Sequence, residues 1–355
     1  MIATSERPTD TPDLGSVLRE LRRRRGLSQL DLAAAADVSA RHLSFVENGR
    51  SRPGRELLLR LADRLAADAA QRDTLLVAAG HAPLRPGATG AVVDGIGGVL
   101  DTGAAPRDTG DTGSPAASAV EAGRRALLSA GSPAVDTVVV ATAAPGRPGR
   151  PAAPEVADRL GLGDAAAFDL ATVCGGFLYG LANAVGLVAS GASERVLLIA
   201  SDAGAPEPCP PWTTAARQWL AGAGAVVLRA GSADEPGALG TVVLGTDARR
   251  AAPSAERLYA ASLRAMEAVG WTAGDIDRLA ADRGEPEAVV ALAGRLNVSA
   301  ERRLGPAGGS AGLASSLARA AQDGTLAAGH RVLLTAYEGD RTWAAAALRW
   351  PRLRG

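Results

Sequence analysis

The sequence predicts two folds in one chain, a small all-α bundle followed by a larger α/β layered domain. Three observations carry this prediction. Apolar residues recur at helical spacing between Leu14 and Gly80. From Ser118 onward, segments with helical spacing alternate with short runs rich in valine, leucine and isoleucine, which is the pattern of an α/β domain. Residues 101–116 between them are turn-rich and of low complexity, and such a composition predicts a flexible spacer.

The length of 355 residues is typical of about two domains, and the chain divides by composition into four segments. Residues 1–13 are predicted to be a flexible arm, and residues 14–83 the helical domain. Residues 84–117 hold one predicted strand and then the Gly/Pro/Asp-rich spacer. Residues 118–355 are predicted to form the α/β domain.

Within the α/β domain helices and strands are predicted in both halves. Helices are predicted at 118–130, 153–161, 175–190, 254–269, 286–296 and 310–322. Strands are predicted at 137–142, 166–170, 195–201, 224–229, 238–245, 331–336 and 345–349. The second half of this domain is therefore expected to repeat the architecture of the first half.

The overall composition excludes several classes of protein. The 47% of apolar residues is enough to build packed cores, yet no apolar run reaches the ~20 residues that a membrane helix needs. The N-terminus lacks a signal peptide, so we expect a cytoplasmic protein with no membrane partner. Only Cys174 and Cys209 are present, too few for a disulfide framework or a usual zinc site. No metal and no resident cofactor is expected.

Residues 28–48 are predicted to form two short helices around a tight turn. Ser28 suits the start of the first helix and Ser39 the start of the second, because a serine hydroxyl accepts a hydrogen bond from an otherwise unpaired backbone N–H. The residues from Ala36 to Val38 form the turn between them. This is the arrangement by which a protein places one helix against DNA.

The second of these helices has one inward face and one outward face. Leu43, Val46 and Glu47 share the inward face by their spacing. The outward face consists of Arg41, Ser44, Phe45 and Asn48. Residues 14–65 contain eleven arginines against six acidic residues, although the whole chain balances 38 basic against 38 acidic residues. A local positive excess is what a phosphate-binding module requires.

The segment from Gly26 to Pro53 resembles the lambda-repressor-like, XRE-type helix-turn-helix family. The residues that lie on the family's pattern are Ser28, Gln29, Leu32, Ala33, Val38, Ser39, Ser44, Val46, Glu47, Gly49 and Pro53. Asp37 stands where the family usually has glycine in a left-handed turn, a conformation that aspartate tolerates. The resemblance implies double-stranded DNA as a partner, with a palindromic operator.

The resemblance also implies which residues meet the DNA. Those expected to face base edges are Ala40, Arg41, Ser44 and Phe45. Those expected to hold phosphates are Ser28, Gln29, Arg50 and Arg52. Arginine matches the two acceptors of guanine, and phenylalanine matches the thymine methyl group. Two other interpretations stay open, an ordinary helical bundle with a solvated basic face and a protein-binding version of the same fold.

Cys174 is the candidate reactive residue of the second domain. It lies between an apolar strand and a long predicted helix, so its sulfur is expected at a helix N-terminus, where the partial positive charge favours the thiolate. Gly175 and Gly176 follow it and let a ligand approach the backbone closely. The alternative is a small buried residue without reactivity.

The second domain resembles β-ketoacyl-acyl carrier protein synthase III, of the thiolase-like superfamily. The similarity lies in the blocks AVEAGRRALLSAG, DTVVVAT, AAFDLATVCGGFLYGL, GASERVLLIASDA, AGAGAVVL and GHRVLLTAYEGDRTWAAAALRW. The resemblance implies a five-layered α-β-α-β-α fold, a two-fold homodimer, and Cys174 as the acyl-accepting cysteine. The family pairs that cysteine with a histidine and an asparagine, which stabilise the charge that develops during decarboxylative condensation.

The sequence departs from the family at the other two catalytic positions. Asp282 stands at the histidine position and Gly309 at the asparagine position. Glu338 and Asp340 add negative charge to the family's glycine loop beside the oxyanion. The segment that helps the family to bind coenzyme A is replaced by the spacer 101–116. These changes predict that condensation is lost.

The combination predicts a DNA-binding transcriptional regulator. Its ketoacyl-synthase-like domain is expected to dimerise and to sense an acyl thioester of coenzyme A or acyl carrier protein, or a related small metabolite. One alternative is a Cys174-dependent acyltransferase or acyl-thioester hydrolase with an accessory DNA-binding domain. A third interpretation treats the second domain as a dimerisation platform whose pocket has collapsed.

Overall fold

The computed structural model describes residues 13–67, 69–81, 90–100, 115–142, 151–171, 176–202, 222–247, 254–282, 286–305, 311–338 and 342–353. The chain divides into two compact units, Met1–Ala88 and Thr89–Gly355. Most of the predicted arm and most of the predicted spacer lie outside the described residues, as do Cys174 and Gly309.

The first unit is a bundle of five helices. They are α1 Leu14–Arg24, α2 Gln29–Ala35, α3 Ala40–Glu47, α4 Arg55–Arg64 and α5 Ala69–Ala78. Ser28 caps α2 by accepting a hydrogen bond from the backbone N–H of Asp31, and Ser39 caps α3 by accepting one from His42. The prediction of two capped helices is confirmed. The turn between them contains Asp37 with φ 55°, the left-handed conformation expected at that position.

Leucines from all five helices form the core of the first unit. The fully buried members include Leu18, Leu32, Leu43, Leu58, Leu61 and Leu75. Helix α1 packs backbone to backbone against the end of α3, because a Cβ atom added at Gly15 would lie 2.1 Å from the carbonyl oxygen of Glu47. The start of α1 therefore fixes the position of α3.

The second unit contains ten strands and six α-helices among its described residues. In its first half they are β1 Gly90–Leu100, α6 Pro115–Ser129, β2 Thr137–Thr142, α7 Ala152–Arg159, β3 Ala166–Ala171, α8 Gly176–Ala189, β4 Arg195–Asp202 and β5 Gly222–Gly231. In its second half they are β6 Ala238–Leu239, β7 Val243–Thr246, α9 Ser254–Glu267, β8 Arg278–Ala281, α10 Pro286–Arg295, α11 Gly312–Gln322, β9 Arg331–Glu338 and β10 Thr342–Arg349. The strand expected at 238–245 is broken into β6 and β7, and β8 was not expected from the sequence.

The strands follow one order, β3-β2-β4-β5-β1-β6-β10-β9-β8, with β7 also paired to β10. Strand β2 is parallel to β3 and β4, and β8 is parallel to β9. Strand β5 is antiparallel to its neighbours β4 and β1, and β10 is antiparallel to its neighbours β9 and β7. Each half thus carries parallel strands on its outer side and antiparallel strands toward the middle, which confirms the expected repeat.

Helices and strands alternate in five layers. Helices α6 and α7 pack on one face of the first half, and α9 and α10 pack on one face of the second half. Helices α8 and α11 lie in the apolar core shared by both halves. Gly224 of β5 allows the close approach of α11, since an added Cβ would lie 2.4 Å from the Cβ of Ala314. The α-β-α-β-α layering expected from the sequence is confirmed.

Candidate functional site

Helix α3 exposes the face that the sequence predicts. Leu43 and Val46 are each 1% exposed, and they face the core. Arg41 and Asn48 are exposed, while Ser44 and Phe45 are half-buried. The outward face therefore combines one cation, one aromatic ring and two small polar groups.

Two of these residues form a stacked pair. The guanidinium carbon of Arg41 lies over the ring of Phe45, 5.3 Å from its centroid. The residues are one helical turn apart, so their side chains meet on the same face of α3. Arg41 makes no ion pair with another described residue. Its N–H groups are therefore not taken up by a carboxylate.

A buried polar network holds α3 against α1 and α2. Arg22 on α1 donates two hydrogen bonds to the carboxylate of Glu47, from Nε at 2.7 Å and from Nη2 at 3.0 Å. Gln29 on α2 donates from Nε2 to the same carboxylate at 2.6 Å. The side chain of Glu47 is fully buried and that of Arg22 is 11% exposed. Three helices are thereby fixed by one carboxylate.

Electrostatics within the network follow from this geometry. Burial acts to raise the pKa of Glu47, but the hydrogen bonds from Arg22 and Gln29 outweigh it and hold that pKa below its usual range. The same hydrogen bond raises the pKa of Arg22. The pair is therefore a buried ion pair with its hydrogen-bonding groups satisfied.

The network also orients Gln29, which the sequence predicts at a DNA phosphate. A glutamine amide has two N–H groups, and Glu47 accepts only one hydrogen bond from them. Ser28 is engaged differently, because its hydroxyl donates to the Asp31 carboxylate at 2.6 Å while accepting from the Asp31 backbone N–H. The bond from the Ser28 hydroxyl, with a second from the Ser28 backbone N–H to the same carboxylate, lowers the pKa of Asp31. In this geometry Gln29 retains a donor for a phosphate, and the Ser28 hydroxyl proton is used in the cap.

The remaining predicted DNA contacts surround the exposed face of α3. Arg50 and Arg52 follow the end of α3, and both are exposed without an ion pair to a described residue. Ala40 is the first residue of α3 and is half-buried. These residues and the outward face of α3 lie on the same short stretch of chain. We call Gln29, Arg41, Phe45, Arg50 and Arg52 the basic surface of the first unit.

The second candidate site lies at one end of the strands in the second unit. Asp282 directly follows β8 and is 1% exposed, and its backbone N–H donates to the carbonyl of Thr335 on β9 at 2.9 Å. Asp202 ends β4, is also 1% exposed, and accepts a hydrogen bond from the backbone N–H of Ala311 at 2.9 Å. Ala311 precedes α11. Two buried carboxylates thus mark the ends of β4 and β8.

Cys174 and Gly309, which the sequence predicts at the family's cysteine and asparagine positions, lie outside the described residues. Both are close in sequence to the start of a described helix. Cys174 precedes Gly176, the first residue of α8, by two positions. Gly309 precedes Ala311 by two positions, and Glu338 is the last residue of β9, where it pairs with Thr342. A carboxyl group such as that of Asp282 does not reproduce the donor and acceptor geometry of a histidine imidazole.

A cavity of about 440 Å³ lies beside β8 in the second half. Its described lining comes from β8, α10 and residues 300–305, and includes Leu279, Val289, Val290, Arg303 and Leu304. No described residue of α8 or α11 contributes to this lining.

Sequence reasoning missed the two residues that organise these sites from a distance. Arg22 pairs with Glu47 across 25 positions, and Asp202 reaches Ala311 across 109 positions. The inward position of Glu47 was predicted, and a buried carboxylate requires a cation. Asp202 could have been identified in a similar way, because it is the acidic residue that ends the apolar strand RVLLIASD.

Two family profiles match the chain. The profile described as "Helix-turn-helix domain" matches residues 13–75, which cover all but the end of the first unit's helices. The profile described as "3-Oxoacyl-[acyl-carrier-protein (ACP)] synthase III" matches residues 168–248, from within β3 to just after β7. The second match includes Cys174.

Several known proteins are similar to the chain over its second unit. Beta-ketoacyl-[acyl-carrier-protein] synthase III 5 of Streptomyces coelicolor is 35% identical over 290 residues, covering 70% of this chain and 87% of the relative. The 3-oxoacyl-(acyl carrier protein) synthase III structure from Pseudomonas aeruginosa superposes with a TM-score of 0.65 at 30% identity, covering 75% of this chain and 100% of that chain. The Aquifex aeolicus enzyme shares the fold, with a TM-score of 0.62 at 19% identity, covering 74% of this chain and 100% of that chain.

Proposed function

We propose that this chain, which belongs to the 3-oxoacyl-[acyl-carrier-protein] synthase III family, is a DNA-binding transcriptional regulator. In this proposal the helix-turn-helix unit binds an operator. The synthase-like unit joins two copies and senses an acyl thioester or a related metabolite. Condensation by the family's cysteine, histidine and asparagine is lost.

One observation carries the DNA-binding part of the proposal, namely the basic surface around α3. It presents Arg41 on α3 and Arg50 and Arg52 just after α3, each without an ion pair to a described residue, and a buried network holds this helix. Arginines of this kind neutralise phosphates and release counterions, which supplies much of the affinity for DNA. The fixed position of α3 supplies the orientation that base readout needs.

Two features support pairing of two copies through the second unit. Strand β3 is the outermost strand on its side of the sheet, and Phe168 on it is 37% exposed. A strand edge that carries exposed apolar groups is suited to pairing with a second copy around a two-fold axis. Such a dimer would present two α3 helices to half-sites about one DNA turn, ~34 Å, apart.

The loss of condensation is supported by the chemistry at Asp282. The condensing reaction needs hydrogen-bond donors aimed at the developing oxyanion. A carboxyl group at the histidine position does not reproduce the donor of the imidazole, and Gly309 supplies no side chain. A site that still admits an acyl thioester and no longer consumes it would act as a sensor.

The proposal is tested by gel shift of the full chain on fragments of its own genome, with and without a panel of acyl thioesters. We expect retarded complexes whose stability changes with at least one thioester, and no release of carbon dioxide from a malonyl thioester. Failure to retard any fragment at low salt would contradict the DNA-binding part. Turnover of the malonyl thioester would contradict the loss of condensation.

The retained cysteine favours a second candidate function, a Cys174-dependent acyltransferase or hydrolase. Cys174 precedes the first residue of α8 by two positions in the sequence, and a helix N-terminus stabilises a thiolate. This candidate is tested by intact mass after incubation with acyl coenzyme A. An added acyl mass that disappears with turnover, and that is absent from Cys174→Ala, would establish it.

A further inference from the structure

We infer that Arg41 and Phe45 together read one base step, a guanine and a thymine on adjacent base pairs. This inference rests on the proposed DNA binding and adds the operator sequence that the protein selects. The pair would act as a single reading unit at the centre of each half-site.

The geometry of the pair provides the first step. The guanidinium of Arg41 lies 5.3 Å from the centroid of the Phe45 ring. Stacking on an aromatic face occupies one face of the guanidinium and leaves its in-plane N–H groups pointing outward. Arg41 is exposed, so those N–H groups reach solvent on the outer side of α3. The aromatic ring therefore restricts the directions in which Arg41 donates.

The surroundings of the pair provide the second step. The carboxylate of Glu47, the only acidic residue of α3, is buried and occupied by Arg22 and Gln29. Beside the pair, Asn48 donates from Nδ2 to the hydroxyl of Ser44 at 3.3 Å. Arg41 is the only arginine on α3, and no carboxylate among the described residues pairs with it. Its guanidinium is therefore available to acceptors outside the protein.

The edges of the bases provide the third step. In the major groove guanine alone offers two acceptors, O6 and N7, that match the paired donors of arginine. Thymine alone offers a methyl group, which an aromatic ring contacts favourably. Successive base pairs are ~3.4 Å apart, so two side chains whose guanidinium carbon and ring centroid are separated by 5.3 Å are close enough to reach neighbouring base pairs. The pair therefore matches a guanine and a thymine on adjacent base pairs.

The test uses the full chain and an operator selected from a random DNA library. In that operator each guanine is then replaced by 7-deazaguanine, which lacks N7, and each thymine by uracil, which lacks only the methyl group. We expect one guanine whose replacement weakens binding by about 5- to 150-fold. We expect a neighbouring thymine whose replacement weakens binding by about 4-fold, the value of one methyl group removed from water.

Variants assign these effects to the two residues. Arg41→Ala is expected to abolish the effect of 7-deazaguanine, and Phe45→Ala the effect of uracil. Phe45→Ala is also expected to reduce the guanine effect, because the guanidinium is no longer held. Arg60→Ala removes an exposed arginine of α4 that pairs with Glu56, and serves as the matched control in which both effects persist.

The outcomes separate this inference from the proposed function. Binding to DNA with no adjacent guanine and thymine, or with base effects unchanged in Arg41→Ala and Phe45→Ala, would overturn the inference and leave DNA binding intact. A chain that binds no DNA would overturn both. The base replacements use the unaltered protein, so a variant that fails to fold does not decide the result.

Discussion

The two units of this chain have kept different parts of their ancestral machinery. In the first unit both the scaffold and the interacting side chains are in place, since the buried Arg22–Glu47–Gln29 network supports an α3 face with Arg41 and Phe45 outward. In the second unit the described strands and helices form the layered scaffold, while the proposed function assigns Asp282 to the histidine position of the family. A fold is therefore preserved by its packing, whereas an activity depends on a few side chains that packing does not require.

The largest effect is expected when the buried network of the first unit is broken. Glu47→Ala removes the only carboxylate among the described residues that pairs with Arg22, so a buried charge is left without compensation, and we expect a loss of about 3–5 kcal/mol in that unit. Hydrogen exchange of the α1–α3 amides in the full chain measures this loss. Glu56→Ala, which breaks an exposed pair with Arg60, is the control and should cost at most about 0.5 kcal/mol. Equal exchange rates in the two variants would contradict the account.

The second effect compares one substitution in the two units. Gly15→Ala places a methyl group 2.1 Å from the backbone oxygen of Glu47, so we expect a destabilisation of about 1–3 kcal/mol or more. Gly186→Ala lies in α8 with no atom within 4 Å of the new Cβ, and a better helix former there should stabilise by about 0.5–1 kcal/mol. Urea unfolding of the full chain checks both. If both substitutions changed the free energy of unfolding in the same direction, the close α1–α3 contact at Gly15 would be contradicted.

A smaller effect concerns the salt dependence of DNA binding. Arg52→Ala is expected to weaken binding to all sequences alike and to reduce the slope of log K against log salt by about 0.9 for each phosphate that the protein no longer neutralises. Fluorescence anisotropy at several salt concentrations measures the slope. Arg60→Ala on α4 should leave it unchanged. A slope that is unaltered in Arg52→Ala would remove this residue from the basic surface.

The smallest effect is a dependence on pH in the second unit. A hydrogen bond from Arg124, with a further one from Arg125, lowers the pKa of Glu121 from 4.5 to about 2. Because the folded-state pKa is the lower one, the stabilisation is complete above about pH 4.5 and is lost as the pH falls through about 2. Glu121 is 35% exposed, so we expect less than about 1 kcal/mol.

Urea midpoints measured between about pH 4.5 and about pH 2 check this dependence. Glu121→Gln should reduce the slope of the midpoint against pH. Glu155→Gln on α7, where the carboxylate lies 3.6 Å from Arg159, is the matched control. A slope that is the same in both variants would contradict the role given to Glu121.

The parts of the fold that depend on local sequence were predictable. The caps at Ser28 and Ser39 and the left-handed turn at Asp37 require only neighbouring residues, and all three were expected. Strand β8 was missed because RLAA is too short and too weakly patterned to be distinguished from a loop. The break between β6 and β7 also escaped prediction. It includes Gly240, where an added Cβ would lie 2.5 Å from Val269 of a distant segment.

Some features of the candidate sites were also predictable from the sequence, and others were not. The outward face of α3 follows from helical spacing, and the place of Cys174 before a long helix follows from the change in pattern at that point. The partners of Glu47 and Asp202 were not predictable, because Arg22 and Ala311 are brought to them by tertiary packing across many residues. The pattern of one sequence indicates which side chain is buried, but it does not indicate which residue hydrogen-bonds to that side chain.

The ratio of specific to non-specific DNA affinity of the full chain tests the account most directly. Anisotropy titrations at physiological salt would compare the selected operator with a scrambled duplex of the same length, using the unaltered protein and Arg41→Ala. We expect a ratio of at least about 10³ for the unaltered protein and a much smaller ratio for Arg41→Ala. Equal affinity for both duplexes, or a ratio that survives Arg41→Ala, would contradict the claim that the face of α3 is the part of this chain that remains functional.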